Sequence, residues 1–210
     1  MSDLHYEILD ERRRLIIPLF ERFKGRFYLA GGTALALQIG HRDSIDFDFF
    51  SETGFDTAAL FAQCEEVFAR HVFTKTQDER DTLGVLIEKA VSVSFMGFPY
   101  PLVEPFVETA DMLLASVADI GCMKLSAITS RSTMKDYVDL FFILKQMPLT
   151  QLLSYAAQKF PTLDQNLVLK SLVYFDDITD DAIRYAPGHE TLFKNIQRDL
   201  EKIVKEYLRQ

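Results

Sequence analysis

The chain is short of the residues that mark several protein classes. Its 210 residues include two cysteines, Cys64 and Cys122, and no tryptophan. Two cysteines cannot make a disulfide scaffold or a metal knuckle, so a reducing, cytoplasmic setting is the expectation. No apolar run approaches the ~20 residues that span a bilayer. No basic stretch followed by an apolar segment opens the chain, so neither a membrane partner nor a signal peptide is expected. Basic residues are also in deficit: 23 Lys and Arg stand against 31 Asp and Glu, for a net charge of −8. Such a chain repels phosphate backbones on average, so any contact with nucleic acid requires a local basic patch or bound cations. Internal repeats and linkers rich in Pro, Gly or Ser are absent. What is present is globular: 48% hydrophobic and 26% charged residues, which excludes wholesale disorder.

The hydrophobic pattern predicts a mixed first half. Leu4, Ile8, Leu15, Ile16, Leu19 and Phe23 recur at helical spacing, with Pro18 forcing a kink or a fresh start. Phe27 to Ala30 reads as a strand that runs into Gly31-Gly32. Thr33 to Ile39 follows as a short helix, with Thr33 as its N-cap and Gly40 as its stop. Ile45 to Phe50 reads as a strand, and Thr57 to Arg70 as a helix. Leu83 to Ile87 and Val91 to Met96 read as a hairpin turning at Glu88-Lys89-Ala90. Beyond the prolines at 99, 101 and 105 the pattern is helical, over about 111–130, 133–146, 149–159, 164–175 and 189–208. The expected class is α+β: a mixed β-sheet flanked by helices over 1–106, then a helical C-terminal region over 107–210.

Three groups of residues stand out. Asp46 and Asp48 are i and i+2 on a strand, so they project from one face while Ile45, Phe47 and Phe49 point to the other. Two neighbouring carboxylates repel, and Mg²⁺ removes that penalty because it prefers carboxylate oxygens. Two solvated aspartates at a strand end would give the same pattern. Gly31-Gly32-Thr33 sits at a strand-to-helix junction, where close backbone approach and unpaired N–H groups suit a phosphate; ordinary turns carry glycine pairs too. In the helical half, Lys124, Ala127, Ile128 and Arg131 share a face, as do Asp136 and Asp139. A plain surface pair between Lys135 and Asp139 is the alternative there.

The run Gly31-Gly32-Thr33-Ala34-Leu35-Ala36-Leu37, His41-Arg42, Ser44 and Asp46-Phe47-Asp48-Phe49-Phe50 resembles the nucleotidyltransferase motif of the AbiEii toxin family. Asp119, Lys124-Leu125, Ala127-Ile128, Arg131 and Lys135-Asp136-Tyr137-Val138-Asp139-Leu140 resemble that family's second signature block. The resemblance implies a DNA-polymerase-β-like fold, an NTP donor and Mg²⁺. It implies metal ligation by Asp46 and Asp48, and contact of Gly31, Gly32 and Thr33 with the triphosphate. It implies that Arg42 and Lys124 meet phosphate charge, and that Asp136 or Asp139 orders the site or helps activate the acceptor. Members of such a family are toxins paired with an antitoxin, and some extend the 3′ end of tRNA. A small-molecule or protein acceptor, or a silent nucleotide-binding module, are the other expectations. One departure is visible: on Val91-Ser92-Val93-Ser94-Phe95, serines hold the positions where many enzymes of this fold carry a third carboxylate. Serine is a poor ligand for Mg²⁺.

Overall fold

The computed structural model describes residues 4–179 and 182–209. Pro18 acts as its sequence position predicts. A short helix α1 (Glu11–Ile16) gives way to a 3₁₀ helix, Ile17–Phe23, with the proline in its first turn. The buried face of this segment is Leu9, Arg13, Ile16, Ile17, Phe20 and Phe23, and Leu15 is exposed. The apolar stripe expected through Leu4, Ile8 and Leu15 is therefore displaced around the helix, and an arginine lies on its inner side.

Strand β1 (Tyr28–Ala30) runs into helix α2 (Gly31–Ile39), followed by β2 (Phe47–Ser51) and α3 (Thr57–Val67). Gly40 ends α2 in the left-handed region, at φ 64°, where a glycine costs nothing. Ala30, and not Thr33, is the N-cap. Strands β3 (Phe73–Glu79), β4 (Thr82–Ile87) and β5 (Val91–Gly97) form a meander. Its predicted turn has Glu88 and Lys89 both at positive φ, 50° and 54°, the conformation that matches the twist of a tight hairpin. Two-residue strands β6 (Val107–Glu108) and β7 (Leu113–Leu114) complete the sheet. The strand order is β3-β4-β5-β2-β1-β7-β6, which leaves β2 central, antiparallel to β1 and parallel to β5.

One sheet face carries the core. Phe47 and Phe49 are buried beside Val93 and Phe95. Phe20 meets both Phe47 and Phe49 at 4.9 Å between ring centroids, and Phe23 meets Phe95 at 5.0 Å. Such tilted aromatic contacts add to the area buried. Ile45, expected on this face, precedes the strand and is exposed.

The chain divides into two units. The α/β unit runs to Pro101 and resumes over Pro105–Ala115; the helical unit holds Leu102–Glu104 and the chain from Ser116. A seam near 106 was expected from the hydrophobic pattern; β6 and β7, which follow it, pair into the sheet, and β7 lies where a helix beginning at 111 was expected. The helical unit contains α4 (Val117–Ala127), α5 (Met134–Leu144), α6 (Leu149–Lys159), α7 (Gln165–Ser171) and α8 (Phe193–Tyr207). In α8, Ile196, Leu200 and Val204 form the buried stripe at i, i+4 and i+8. Burial pushes the thiols of Cys64 and Cys122 up to about 12, as suits core residues. No helix among the described residues is long and apolar enough to cross a membrane.

Candidate functional site

Within the α/β unit the first motif is assembled by sheet register. Ala30, the last residue of β1, pairs with Asp48 on β2. The turn that follows β1 is therefore beside the aspartate strand. Gly31 has φ 68°, and a Cβ added to it would lie 3.2 Å from Asp48 Oδ2. A Cβ added to Gly32 would lie 2.8 Å from both Arg42 Nη2 and Ser44 Oγ. Glycine is favoured at 31 by its backbone, and a side chain at 32 would displace the ends of the Arg42 and Ser44 side chains. Gly31→Ala is expected to cost about 1–2 kcal/mol from the left-handed backbone alone and to displace the Asp48 carboxylate. A urea titration read beside an Mg²⁺–NTP affinity checks both effects.

Asp46 stands immediately before β2 and is exposed; Asp48 is half-buried on the strand. The Thr33 hydroxyl donates to the Asp46 carbonyl, so α2 fixes the backbone from which Asp46 projects. This is the use the structure makes of Thr33, in place of capping. Arg42 is buried and donates from Nη1 to the Asp43 carbonyl at 2.8 Å. On β5, Ser94 is the register partner of Asp48, so the neighbouring strand supplies no third acid at that position. Among the described residues no group of three His, Cys, Asp or Glu gathers as a metal site. Two carboxylate-bearing residues at the start of a strand still suit Mg²⁺, which commonly takes one or two protein carboxylates and completes its octahedron with water and substrate phosphates.

Sequence reasoning missed Arg13, which reaches the same loop. Its Nη1 donates to Asp43 Oδ1 at 2.7 Å and to the Ser44 carbonyl. The available signal was its spacing: Leu9, Arg13, Ile16 and Phe20 lie on one helical face.

Within the helical unit the second motif closes on itself. Lys124 Nζ lies 2.7 Å from Asp136 Oδ1 and 2.7 Å from Asp139 Oδ2. Arg131 Nε donates to Asp136 Oδ2 at 2.9 Å, and the Thr133 hydroxyl donates to the same oxygen at 2.6 Å. Arg131 reaches Asp136 from the turn after α4, since the helix ends at Ala127. Lys124, Asp136 and Asp139 are all buried. Burial disfavours the Lys124 ammonium, but Asp139 and Asp136 outweigh it and raise its pKa above 10.5. Burial likewise disfavours the Asp136 carboxylate, but Lys124 and the bonds from Arg131 and Thr133 lower its pKa below 3.8. A lowered carboxyl pKa gives stability that is present above the ordinary value and lost as pH falls through the lowered one. The raised lysine gives stability that is present below 10.5 and lost as pH rises through its raised value. The stability gap between wild type and Asp136→Asn is therefore expected to be constant near neutrality and to shrink below pH 3.8, where urea titrations at stepped pH would read it.

The model of the family described as "Nucleotidyl transferase AbiEii toxin, Type IV TA system" matches residues 19–209. The uncharacterized protein aq_aa25 of Aquifex aeolicus (strain VF5) is 34% identical over 189 residues, covering 87% of this chain and 88% of that protein. Among solved structures, MenT4, a nucleotidyltransferase toxin from Mycobacterium tuberculosis H37Rv, superposes with a TM-score of 0.64. It is 14% identical, over 93% of this chain and 82% of that one. JHP933 from Helicobacter pylori superposes with a TM-score of 0.51 at 16% identity, over 99% of this chain and 100% of that one. At these identities the structural likeness is one of fold.

Proposed function

Because the chain belongs to the AbiEii nucleotidyl transferase toxin family, we propose that it transfers a nucleotide from a Mg²⁺-bound NTP to an acceptor hydroxyl, and that the acceptor is the 3′ end of tRNA. The observation that carries this reading is the start of β2. There Asp46 and Asp48 stand against a Gly31-Gly32 turn that opens a helix.

In the reaction the acceptor hydroxyl attacks the α-phosphorus and gives up its proton to solvent, and a new P–O bond forms as the bond to pyrophosphate breaks. Mg²⁺ held by Asp46 and Asp48 would neutralise the triphosphate and stabilise the attacking and leaving oxygens. The first turn of α2 offers unpaired backbone N–H groups to phosphate oxygens, at the positive end of the helix dipole. Arg42, packed behind Gly32, adds fixed positive charge on the same side. Thr33 acts through the Asp46 backbone, and its hydroxyl is occupied there. In the helical unit Asp136 and Asp139 hold Lys124 at one position and keep it charged. Their role is to order this second signature, and an antitoxin is the protein partner that the family implies.

The test supplies each α-labelled NTP in turn to the purified protein with Mg²⁺ and total small RNA. Label on tRNA-sized RNA supports the reading and identifies the base. Label on a small molecule or a protein keeps the reaction and replaces the acceptor. No label with any nucleotide contradicts the reading.

A further inference from the structure

The segment before residue 19 lies outside the span that the family model matches, yet it is joined to the far end of α2 and to the loop before β2. At the far end of α2, the His5 backbone N–H donates to the Leu37 carbonyl at 2.7 Å. A Cβ added to Gly40 would lie 2.8 Å from the His5 ring, so the segment is seated closely against the helix stop. One turn further on, Asp10 caps α1 by accepting from the Arg13 backbone N–H at 2.9 Å, and its carboxylate lies 3.3 Å from Arg13 Nε. Arg13 is 3% exposed. Its guanidinium spans 30 residues of sequence to hold Asp43 Oδ1 and the Ser44 carbonyl.

That contact point is critical to the loop. Asp43 and Ser44 are flanked by Arg42, which crowds Gly32, and by Asp46, whose carbonyl is held by Thr33. The loop is therefore fixed from the α2 side by Thr33 and from the α1 side by Arg13. A guanidinium offers several donors in a rigid fork, so one side chain can fix a carboxylate and a carbonyl together. A buried arginine is also costly unless paired, which ties its position to the loop's.

We propose that Arg13 is a positioning residue for nucleotide transfer: through Asp43 and Ser44 it sets the loop that aims Asp46 and backs the Gly31-Gly32 turn. It touches neither nucleotide nor metal. The inference rests on the nucleotide-transfer reading of the start of β2.

The experiment uses the full chain with Arg13→Gln, Arg13→Lys and, as a control on an exposed neighbour of the same helix, Arg14→Gln. Amide hydrogen exchange over residues 41–46 is measured without nucleotide, and Mg²⁺–ATP, –GTP, –CTP and –UTP affinities are measured by calorimetry. Arg13→Gln is expected to exchange faster across the loop and to bind the preferred Mg²⁺–NTP about 10-fold more weakly, the lower end of what loss of an outer support costs a metal site. Arg13→Lys should recover part of both effects, and Arg14→Gln should match wild type. If Arg13→Gln does not fold, Asp43→Ala removes the carboxylate half of the same contact from the loop side. Unchanged loop exchange overturns the brace, and so does faster exchange with unchanged affinity. If the wild type binds no Mg²⁺–NTP, the nucleotide reading of the site fails and this inference fails with it, whereas unchanged exchange defeats the brace alone.

Discussion

Asp48→Asn is expected to lower nucleotide transfer by about 10³-fold, with the fold intact. The magnitude follows from charge. A metal ion that neutralises a triphosphate supplies several kcal/mol to the transition state, and about 4 kcal/mol corresponds to a factor near 10³ in rate. Asparagine keeps the size of the side chain and removes its charge, so Gly31 keeps its neighbour and the pairing of Ala30 with Asp48 is undisturbed. Stability should therefore change little, and relief of repulsion with Asp46 is expected to offset part of any loss. Asp46→Asn should act in the same direction. Single-turnover rates at saturating NTP, with urea titrations alongside, separate the two effects. Transfer within a few-fold of wild type would remove Asp48 from the chemistry.

The second large effect belongs to the helical unit and is one of stability. Lys124→Met keeps the aliphatic stem but leaves Asp136 and Asp139 buried beside a neutral side chain. Removing one partner of a buried ion pair costs about 3–5 kcal/mol, because the remaining charge is neither hydrated nor matched. Here one ammonium serves two buried carboxylates, and Arg131 and Thr133 continue to bond Asp136 when it is gone. Adding Asp139→Asn to Lys124→Met should recover part of the stability, since one of the two buried charges that faced the ammonium is then removed. Denaturation monitored by circular dichroism reads both variants. A loss under about 1 kcal/mol for Lys124→Met would show that the cluster is hydrated and of the weak surface kind. Lys159 and Asp119, 2.8 Å apart and fully buried, form a second such pair in the same unit. There Asp119 also accepts from the Val103 and Glu104 backbones.

The candidate site was legible where chemistry and period coincide. Asp48 alternating with Phe47 and Phe49 marks a strand with one polar and one buried face, and β2 is that strand, although it begins at Phe47 and leaves Asp46 just before it. The glycine pair was legible from its place between a strand and a helix, and the structure gives Gly31 a positive φ there. The fold was less so at the sheet's margins. β3 was missed because almost all of its residues are exposed on both faces, which removes the alternation that marks a strand. β6 and β7 are two residues each, too short to carry any period, so the helical pattern of α4 was extended backwards through β7. Thr33 has the residue type of a cap, but its hydroxyl goes to a carbonyl 13 residues away, a tertiary preference that local propensity cannot contain. Arg13 was hidden for a related reason. A charged residue is read as marking the solvent side of a helix, and only the carboxylate and carbonyl brought to it by the fold make its inner position favourable.

The most direct test of the account is a calorimetric titration of each NTP into the wild-type protein and into Asp46→Asn/Asp48→Asn, with and without Mg²⁺. The account predicts binding to the wild type that requires Mg²⁺ and is lost in the double variant, while the variant's unfolding transition is retained. Nucleotide binding that is equal with and without Mg²⁺, or equal in the double variant, would contradict the assignment of the start of β2 as the metal and nucleotide site.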